Sequence, residues 1–112
     1  MIEVNLKKRI PEANIQAEIY HRLKLEGVSR ILEYKHLKSR FDIMILEEVG
    51  ERAFAKGIIE VKSWAKKGRE PKWEGAQLQK YGKLGLPVLV CGRWEEIEDA
   101  VQWAKGLQSL LV

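Results

Sequence analysis

Three side chains suited to hydrolytic chemistry lie in apolar surroundings in the middle of the chain. Asp42 precedes Ile43 in one apolar segment, and Glu60 and Lys62 flank Val61 in the next. Side chains alternate between the two faces of a strand, so Glu60 and Lys62 share a face, and Asp42 lies beside Glu60 if the segments pair as a hairpin. Two carboxylates removed from water repel each other and lose several kcal/mol of hydration each unless a cation or a proton compensates. We therefore predict a divalent cation, Mg²⁺ or Mn²⁺, between them, because such ions prefer oxygen ligands.

This combination of groups suits the hydrolysis of phosphodiester bonds. A metal ion polarises a phosphoryl oxygen and acidifies a bound water. The Lys62 ammonium would hold or deprotonate the nucleophile, or neutralise charge in the transition state. Glu18, on a predicted N-terminal helix, is a further candidate that would hold a metal-bound water or a second ion.

Two connections in the middle of the chain carry clusters of basic residues. The net charge is only +4, which by itself favours an anionic partner slightly. The two basic groups are Lys35, Lys38 and Arg40, followed by Lys66, Lys67, Arg69 and Lys72. We expect both groups to contact a nucleic-acid backbone, with DNA as the partner.

Composition excludes several classes of protein. The 112 residues are 46% hydrophobic, which fits one folded domain over residues 1–112 and argues against a disordered chain. No apolar run approaches the roughly 20 residues needed to cross a bilayer, so we expect no membrane partner. One cysteine, Cys91, excludes an internal disulfide and a thiolate zinc site from this chain alone. A reducing, cytoplasmic location is expected.

The pattern of apolar residues and breakers predicts an α/β protein. Ile15, Ile19 and Leu23 form the apolar stripe of a first helix that ends at Gly27. A turn at Gly50 separates two strands. The predicted elements are a helix over 12–25, strands over 30–34, 41–46 and 54–64, a helix over 73–83, a strand over 86–91 and a helix over about 94–111. This order predicts a mixed four-stranded sheet flanked by helices, with a further C-terminal helix.

Regular alternation predicts which residues of the second strand share a face of the sheet. Alternation along residues 41–46 puts Asp42 and Met44 on one face of the sheet. The same alternation predicts that Phe41, Ile43 and Ile45 share the opposite face.

The sequence resembles the PD-(D/E)xK nuclease superfamily. Asp42 opens an apolar strand, and Glu60-Val61-Lys62 follows in the next one. Glu18, in Gln16-Ala17-Glu18, is similar to the helical acid of archaeal Holliday-junction resolvases and virus-type replication-repair (VRR-type) nucleases. Gln77-Leu78-Gln79-Lys80-Tyr81 is similar to the Q-x-x-x-Y motif of RecB-like nucleases. The resemblance covers about residues 12–92 in the family's α-β-β-β-α-β order.

The resemblance implies a restriction-endonuclease-like fold and a Mg²⁺- or Mn²⁺-dependent deoxyribonuclease. Asp42, Glu60 and the backbone carbonyl of Val61 would bind metal, Lys62 would be the catalytic lysine, and Gln77 and Tyr81 would position substrate or water. An endonuclease acting on structured or duplex DNA is expected.

The sequence departs from the family pattern at two places. Phe41 stands where the family often has proline, and Ser63-Trp64 after the lysine assigns no subfamily. The C-terminal helix, with Trp94 and Trp103, offers apolar surface for a homodimer.

Each candidate also has a purely structural interpretation. Glu60 and Lys62 could form a surface pair on an edge strand, and Asp42 could cap a turn. Glu18 stands four residues before Arg22, the favoured order for an ion pair on a helix.

The remaining alternatives concern the second half of the chain and the whole protein. Gln77 and Tyr81 could be ordinary packing residues of a helix, and the loop over 65–72 could be merely solvated. For the whole protein, the alternative is a nucleic-acid-binding or assembly module without catalysis.

Overall fold

A computed structural model describes residues 12–36, 39–62 and 85–110 of the chain. The helices are α1 (Glu12–Leu25) and α2 (Ile97–Lys105), and a short 3₁₀ helix (Trp94–Glu96) leads into α2. The strands are β1 (Arg30–His36), β2 (Ser39–Val49), β3 (Arg52–Val61) and β4 (Val88–Cys91). Neither helix is long and apolar enough to cross a membrane within these ranges.

The four strands form one mixed sheet in the order β1-β2-β3-β4. The pairs β1–β2 and β2–β3 are antiparallel, and β3–β4 is parallel. The predicted α/β class with a mixed four-stranded sheet is therefore confirmed. The predicted helix over 73–83 lies outside the described residues.

Helix α1 buries the apolar stripe that the sequence predicts. Ile15, Ile19 and Leu23 are at most 1% exposed, because residues four apart share one face of a helix. The helix ends as predicted at Gly27, whose φ of 72° suits a residue without Cβ. The Val28 N–H then bonds back to the Leu23 carbonyl at 2.9 Å and satisfies a terminal acceptor.

Helix α2 packs on the same face of the sheet as α1. Its buried residues join α1 and alternate residues of β2 and β3 in one core, which contains Ile97, Ala100, Val101, Ala104, Ile43, Ile45, Ile59 and Val61. Burying each of the Ile and Val side chains among them stabilises the fold by about 1.5–3 kcal/mol, before entropy costs.

The prediction that the last helix continues to about residue 111 is wrong. Helix α2 ends at Lys105, and Gly106 follows as its C-cap. The chain is then drawn to β2, where the Glu47 carboxylate accepts hydrogen bonds from the Ser109 hydroxyl and, at 2.7 Å, from the Leu110 N–H. An N–H that bonds to a carboxylate has no need of a helical partner.

The opposite face of the sheet carries a second, smaller core of Phe41, Met44 and Ile58. The prediction that Phe41 shares a face with Ile43 is therefore wrong. Regular alternation fails next to Phe41, because the Asp42 N–H bonds to a side chain and Glu33 of β1 has a φ of 52°.

A bulge in β3 also changes the predicted alternation. Ile45 lies opposite Gly57 but Leu46 lies opposite Ala55, so Lys56 is an extra residue on β3. Beyond the bulge the faces are exchanged, and Ala55 packs with Ile58 on the second core.

Candidate active site

The site lies where the β2–β3 ladder ends. The last regular pair joins Ile43 to Ile59, so Asp42 and Glu60 are the next residues toward the edge. Glu60 Oε1 accepts the Asp42 N–H at 3.1 Å, and Asp42 Oδ2 accepts the Val61 N–H at 2.8 Å. Each carboxylate thus holds the backbone of the other strand, and the structure brings the two predicted acids together.

The two hydrogen bonds replace backbone pairing at this point. The Val61 N–H points from β3 toward β2, where a continuing ladder would offer a carbonyl. The Val61 N–H meets the Asp42 carboxylate instead, so a side chain connects the two strands where their ladder ends. An N–H that donates to a carboxylate fixes the orientation of that carboxylate.

Helix α1 contributes a contact that the sequence did not point to. Gln16 Nε2 donates to the Asp42 carbonyl oxygen at 3.0 Å and ties α1 to the backbone of the site. Gln16 adjoins the buried Ile15, so its side chain starts at the border of the apolar stripe. That border position was the available signal, because a half-buried amide on a packed helix needs a partner.

The burial of Glu60 excludes the surface-pair interpretation. Glu60 is only 3% exposed, and no other polar or charged residue of the described ranges is buried. The turn-cap interpretation of Asp42 is also wrong, because Asp42 lies inside β2 and is half-buried.

Lys62 directly follows β3, and its backbone continues the pairing of β3 with β4. Its N–H bonds to the Cys91 carbonyl of β4 at 3.0 Å, and the residue is half-buried. Alternation places its side chain on the face of Glu60. Gln77 and Tyr81 lie outside the described residues.

Glu18 forms the ion pair that the sequence offered as its alternative role. Arg22 Nε lies 2.9 Å from Glu18 Oε1, and Arg22 Nη1 lies 3.3 Å from Glu98 of α2. The hydrogen bond to Glu18 raises the pKa of the Arg22 guanidinium above its ordinary value, so Arg22 stays charged.

Asp42, Glu60 and Glu18 do not form a three-carboxylate centre. The described ranges hold no cluster of three or more His, Cys, Asp and Glu side chains able to bind a metal ion. A metal-linked role of Glu18 stays a prediction.

Two of the predicted basic residues lie at the same end of the sheet as the acids. Lys35 and Arg40 are paired across β1 and β2, close to the start of β2 and therefore to Asp42. Both are exposed, and Arg40 forms an ion pair with Glu33. Lys38, Lys66, Lys67, Arg69 and Lys72 lie outside the described residues.

The donor set of this site fits a hard divalent cation. Asp42 and Glu60 bring their carboxylate groups together from two adjacent strands. Mg²⁺ in proteins is commonly held by one or two carboxylates and retains several waters, so this pair is sufficient. The Val61 carbonyl follows Glu60 directly in the chain and is the predicted third oxygen.

Comparisons of the chain with protein-family models, with curated proteins and with solved structures found no match.

Proposed function

We propose that the chain is a metal-dependent DNA nuclease that hydrolyses phosphodiester bonds, with a restriction-endonuclease-like αβββαβ fold. The observation that carries the proposal is the reciprocal hydrogen bonding of Asp42 and Glu60 at the end of the β2–β3 ladder. A buried acid beside a second acid is costly for the fold, and a divalent cation shared by both offsets that cost.

Mg²⁺ or Mn²⁺ bound there would polarise the scissile phosphate and supply an acidified water. The chain's own residues orient these groups. Asp42 and Glu60 present carboxylate oxygens from two adjacent strands, and Gln16 fixes the backbone of Asp42. The Lys62 ammonium, on the face of Glu60, stabilises the negative charge that develops on the phosphoryl oxygens.

We further propose that the enzyme is an endonuclease acting on duplex or structured DNA, and that it works as a homodimer. Lys35 and Arg40 support the choice of a polyanion, because they lie at the end of the sheet that carries the acids. Exposed Trp94 and Leu110 near α2 support a second copy as a partner.

The test is cleavage of a panel of labelled DNA substrates: duplex, flap, four-way junction and single strand. We expect cleavage with Mg²⁺ or Mn²⁺ and none with EDTA. Asp42→Asn and Glu60→Gln should each lower the rate by about 10²-fold or more, because groups that stabilise transition-state charge contribute on this scale. DNA affinity should stay within a few-fold of the unmodified chain.

Glu48→Gln is the matched control, because Glu48 is an exposed acid on the same strand as Asp42. Full cleavage by a Glu60→Gln, Lys62→Ala double variant would refute the proposal. If the unmodified chain binds DNA but does not cleave any substrate, the non-catalytic binding module is the correct alternative.

A further inference from the structure

An ion pair joins β1 and β2 at the end of the sheet that carries Asp42 and Glu60. The Arg40 guanidinium of β2 contacts the Glu33 carboxylate of β1. The register pairs Arg40 with Lys35, so the contact with Glu33 is diagonal across the two strands. Arg40 stands two residues before Asp42, and the ion pair therefore borders the candidate site.

Glu33 occupies the position of β1 that lies opposite Asp42. The strand pairs on either side of this position are Leu32–Ile43 and Tyr34–Phe41. In a regular ladder, residues that lie opposite each other hold their side chains side by side, which would put a third carboxylate next to Asp42. Glu33 instead has a φ of 52°, a left-handed conformation that is unfavourable for a residue with a Cβ. Its carboxylate pairs with Arg40.

Both members of this ion pair are open to solvent. The Arg40 side chain is 56% exposed, and the Glu33 side chain is 48% exposed. Water and salt screen an ion pair of this kind, so it adds little to the attachment of β1 to β2. The ion pair therefore does not explain by its stability why Glu33 keeps an unfavourable backbone conformation, and such conformations are typical of functional sites.

A guanidinium binds carboxylates and phosphates through the same donors. Its planar fork of N–H groups matches two oxygens of either group. A DNA phosphate that reaches Arg40 meets the Glu33 carboxylate already bound there, and the two anions repel each other. Phosphate and carboxylate therefore compete for Arg40.

We propose that Glu33 is an autoinhibitory residue, which occupies Arg40 in the absence of DNA and releases it to a backbone phosphate when DNA binds. The inference deepens the proposed function and rests on it, because the competing ligand is the DNA of that proposal. Arg40 consequently contributes less to DNA affinity in the unmodified chain than it does without Glu33. A polyanion offsets the opening of the ion pair through its other contacts, such as that expected with Lys35.

The test is a double-mutant cycle on DNA affinity, measured in EDTA so that no substrate is cleaved. The chains are the unmodified protein, Glu33→Gln, Arg40→Gln and the double variant, each with the same panel of labelled DNA substrates. We expect Glu33→Gln to bind DNA about two- to fivefold more tightly, the scale on which an exposed ion pair contributes. The slope of log Kobs against log salt concentration should become steeper by about 0.9, the value for one additional phosphate contact.

A second variant keeps the test valid if Glu33→Gln does not fold. Glu33→Gly also removes the carboxylate, and glycine adopts a φ of 52° without strain. We expect the same gain in DNA affinity from both variants.

Lys35→Gln supplies the matched background, because Lys35 is the basic residue paired with Arg40 across the two strands. Replacing Glu33 removes a negative charge, which by itself favours DNA at this end of the sheet. If Glu33 acts through Arg40, the gain disappears in the Arg40→Gln background and persists in the Lys35→Gln background. An equal gain in both backgrounds is a general charge effect and overturns the inference.

The remaining outcomes separate inhibition from a structural role and from failure of the proposed function. If the ion pair only fastens β1 to β2, Glu33→Gln lowers the thermal unfolding midpoint without any gain in DNA affinity, which overturns the inference. DNA binding and Mg²⁺-dependent cleavage by the unmodified chain, with no gain from Glu33→Gln, reject the autoinhibitory role alone. Absence of DNA binding by every chain rejects both the inference and the proposed function.

Discussion

At the scale of single residues, the buried ionisable groups point most clearly to the candidate site. Glu60 is almost fully buried, and the Asp42 N–H donates to it across the strands. The pairing of these two acids could be predicted because the polar interruptions of two apolar segments are visible in the sequence. For Gln16 the sequence indicates only a half-buried position that needs a partner, because its contact with the Asp42 carbonyl depends on how α1 crosses the sheet.

Cys91 provides a prediction at the same scale. Burial, with a smaller effect of the nearby Glu96, raises the pKa of the Cys91 thiol to about 11. The unfolded thiol has a pKa of about 8.5, so above that pH the unfolded state loses its proton first. The thiol's contribution to stability is therefore complete below pH 8.5 and is lost as the pH rises toward 11.

We expect the free energy of unfolding to decrease over this pH range, as measured by urea denaturation. A Cys91→Val variant should show a weaker decrease. A thiol reagent should modify the native chain slowly at pH 7.5 and rapidly in denaturant. Fast modification of the native chain would contradict the buried, protonated thiol.

At the scale of elements, the sequence predicts whether a segment is a helix or a strand better than it predicts the residue at which the element ends. The stripe of α1 and the glycine at its end were visible, because they depend on local geometry alone. The bulge at Lys56 and the displacement of Phe41 were not, because each depends on pairing with another strand. The end of α2 depends on Glu47, more than fifty residues earlier in the chain.

The contact between Glu47 and the C-terminal segment gives the second prediction. Hydrogen bonds from Ser109 and Leu110 lower the pKa of the Glu47 carboxyl below its ordinary value. A carboxyl with a lowered folded-state pKa stabilises the fold above its unfolded pKa, about 4.3. That stabilisation is lost as the pH falls through the folded-state pKa.

Glu47→Gln should therefore lower the thermal unfolding midpoint at pH 7, and the difference from the unmodified chain should shrink as the pH approaches 3. Glu48→Gln, an exposed neighbour on β2, is the control and should show little change at either pH. A deficit of Glu47→Gln that is equal at both pH values would show that the carboxylate charge is not involved.

At the scale of the whole molecule, the described part of the sheet carries basic residues at the end that also holds the candidate acids. The end formed by the start of β2 and the ends of β1 and β3 carries Lys35, Arg40 and Lys62. The opposite end, around the β2–β3 turn, carries Glu47, Glu48 and Glu51 together with Arg52.

A polyanion should therefore bind at the end that carries the acids of the candidate site. Lys35→Gln should reduce the slope of log Kobs against log salt concentration for DNA binding by about 1. Arg52→Gln, at the opposite end of the sheet, is the matched control and should leave the slope unchanged. Equal slopes for both variants would place the DNA elsewhere.

Calorimetric titration with Mn²⁺ in the absence of DNA tests most directly whether Asp42 and Glu60 share a divalent cation. The unmodified chain and Glu48→Gln should bind Mn²⁺ with equal affinity. Asp42→Asn and Glu60→Gln should each bind at least about tenfold more weakly, the scale on which even supporting groups of a metal site act. If all four chains bind Mn²⁺ alike, or if the unmodified chain binds none, the two carboxylates do not form a metal site.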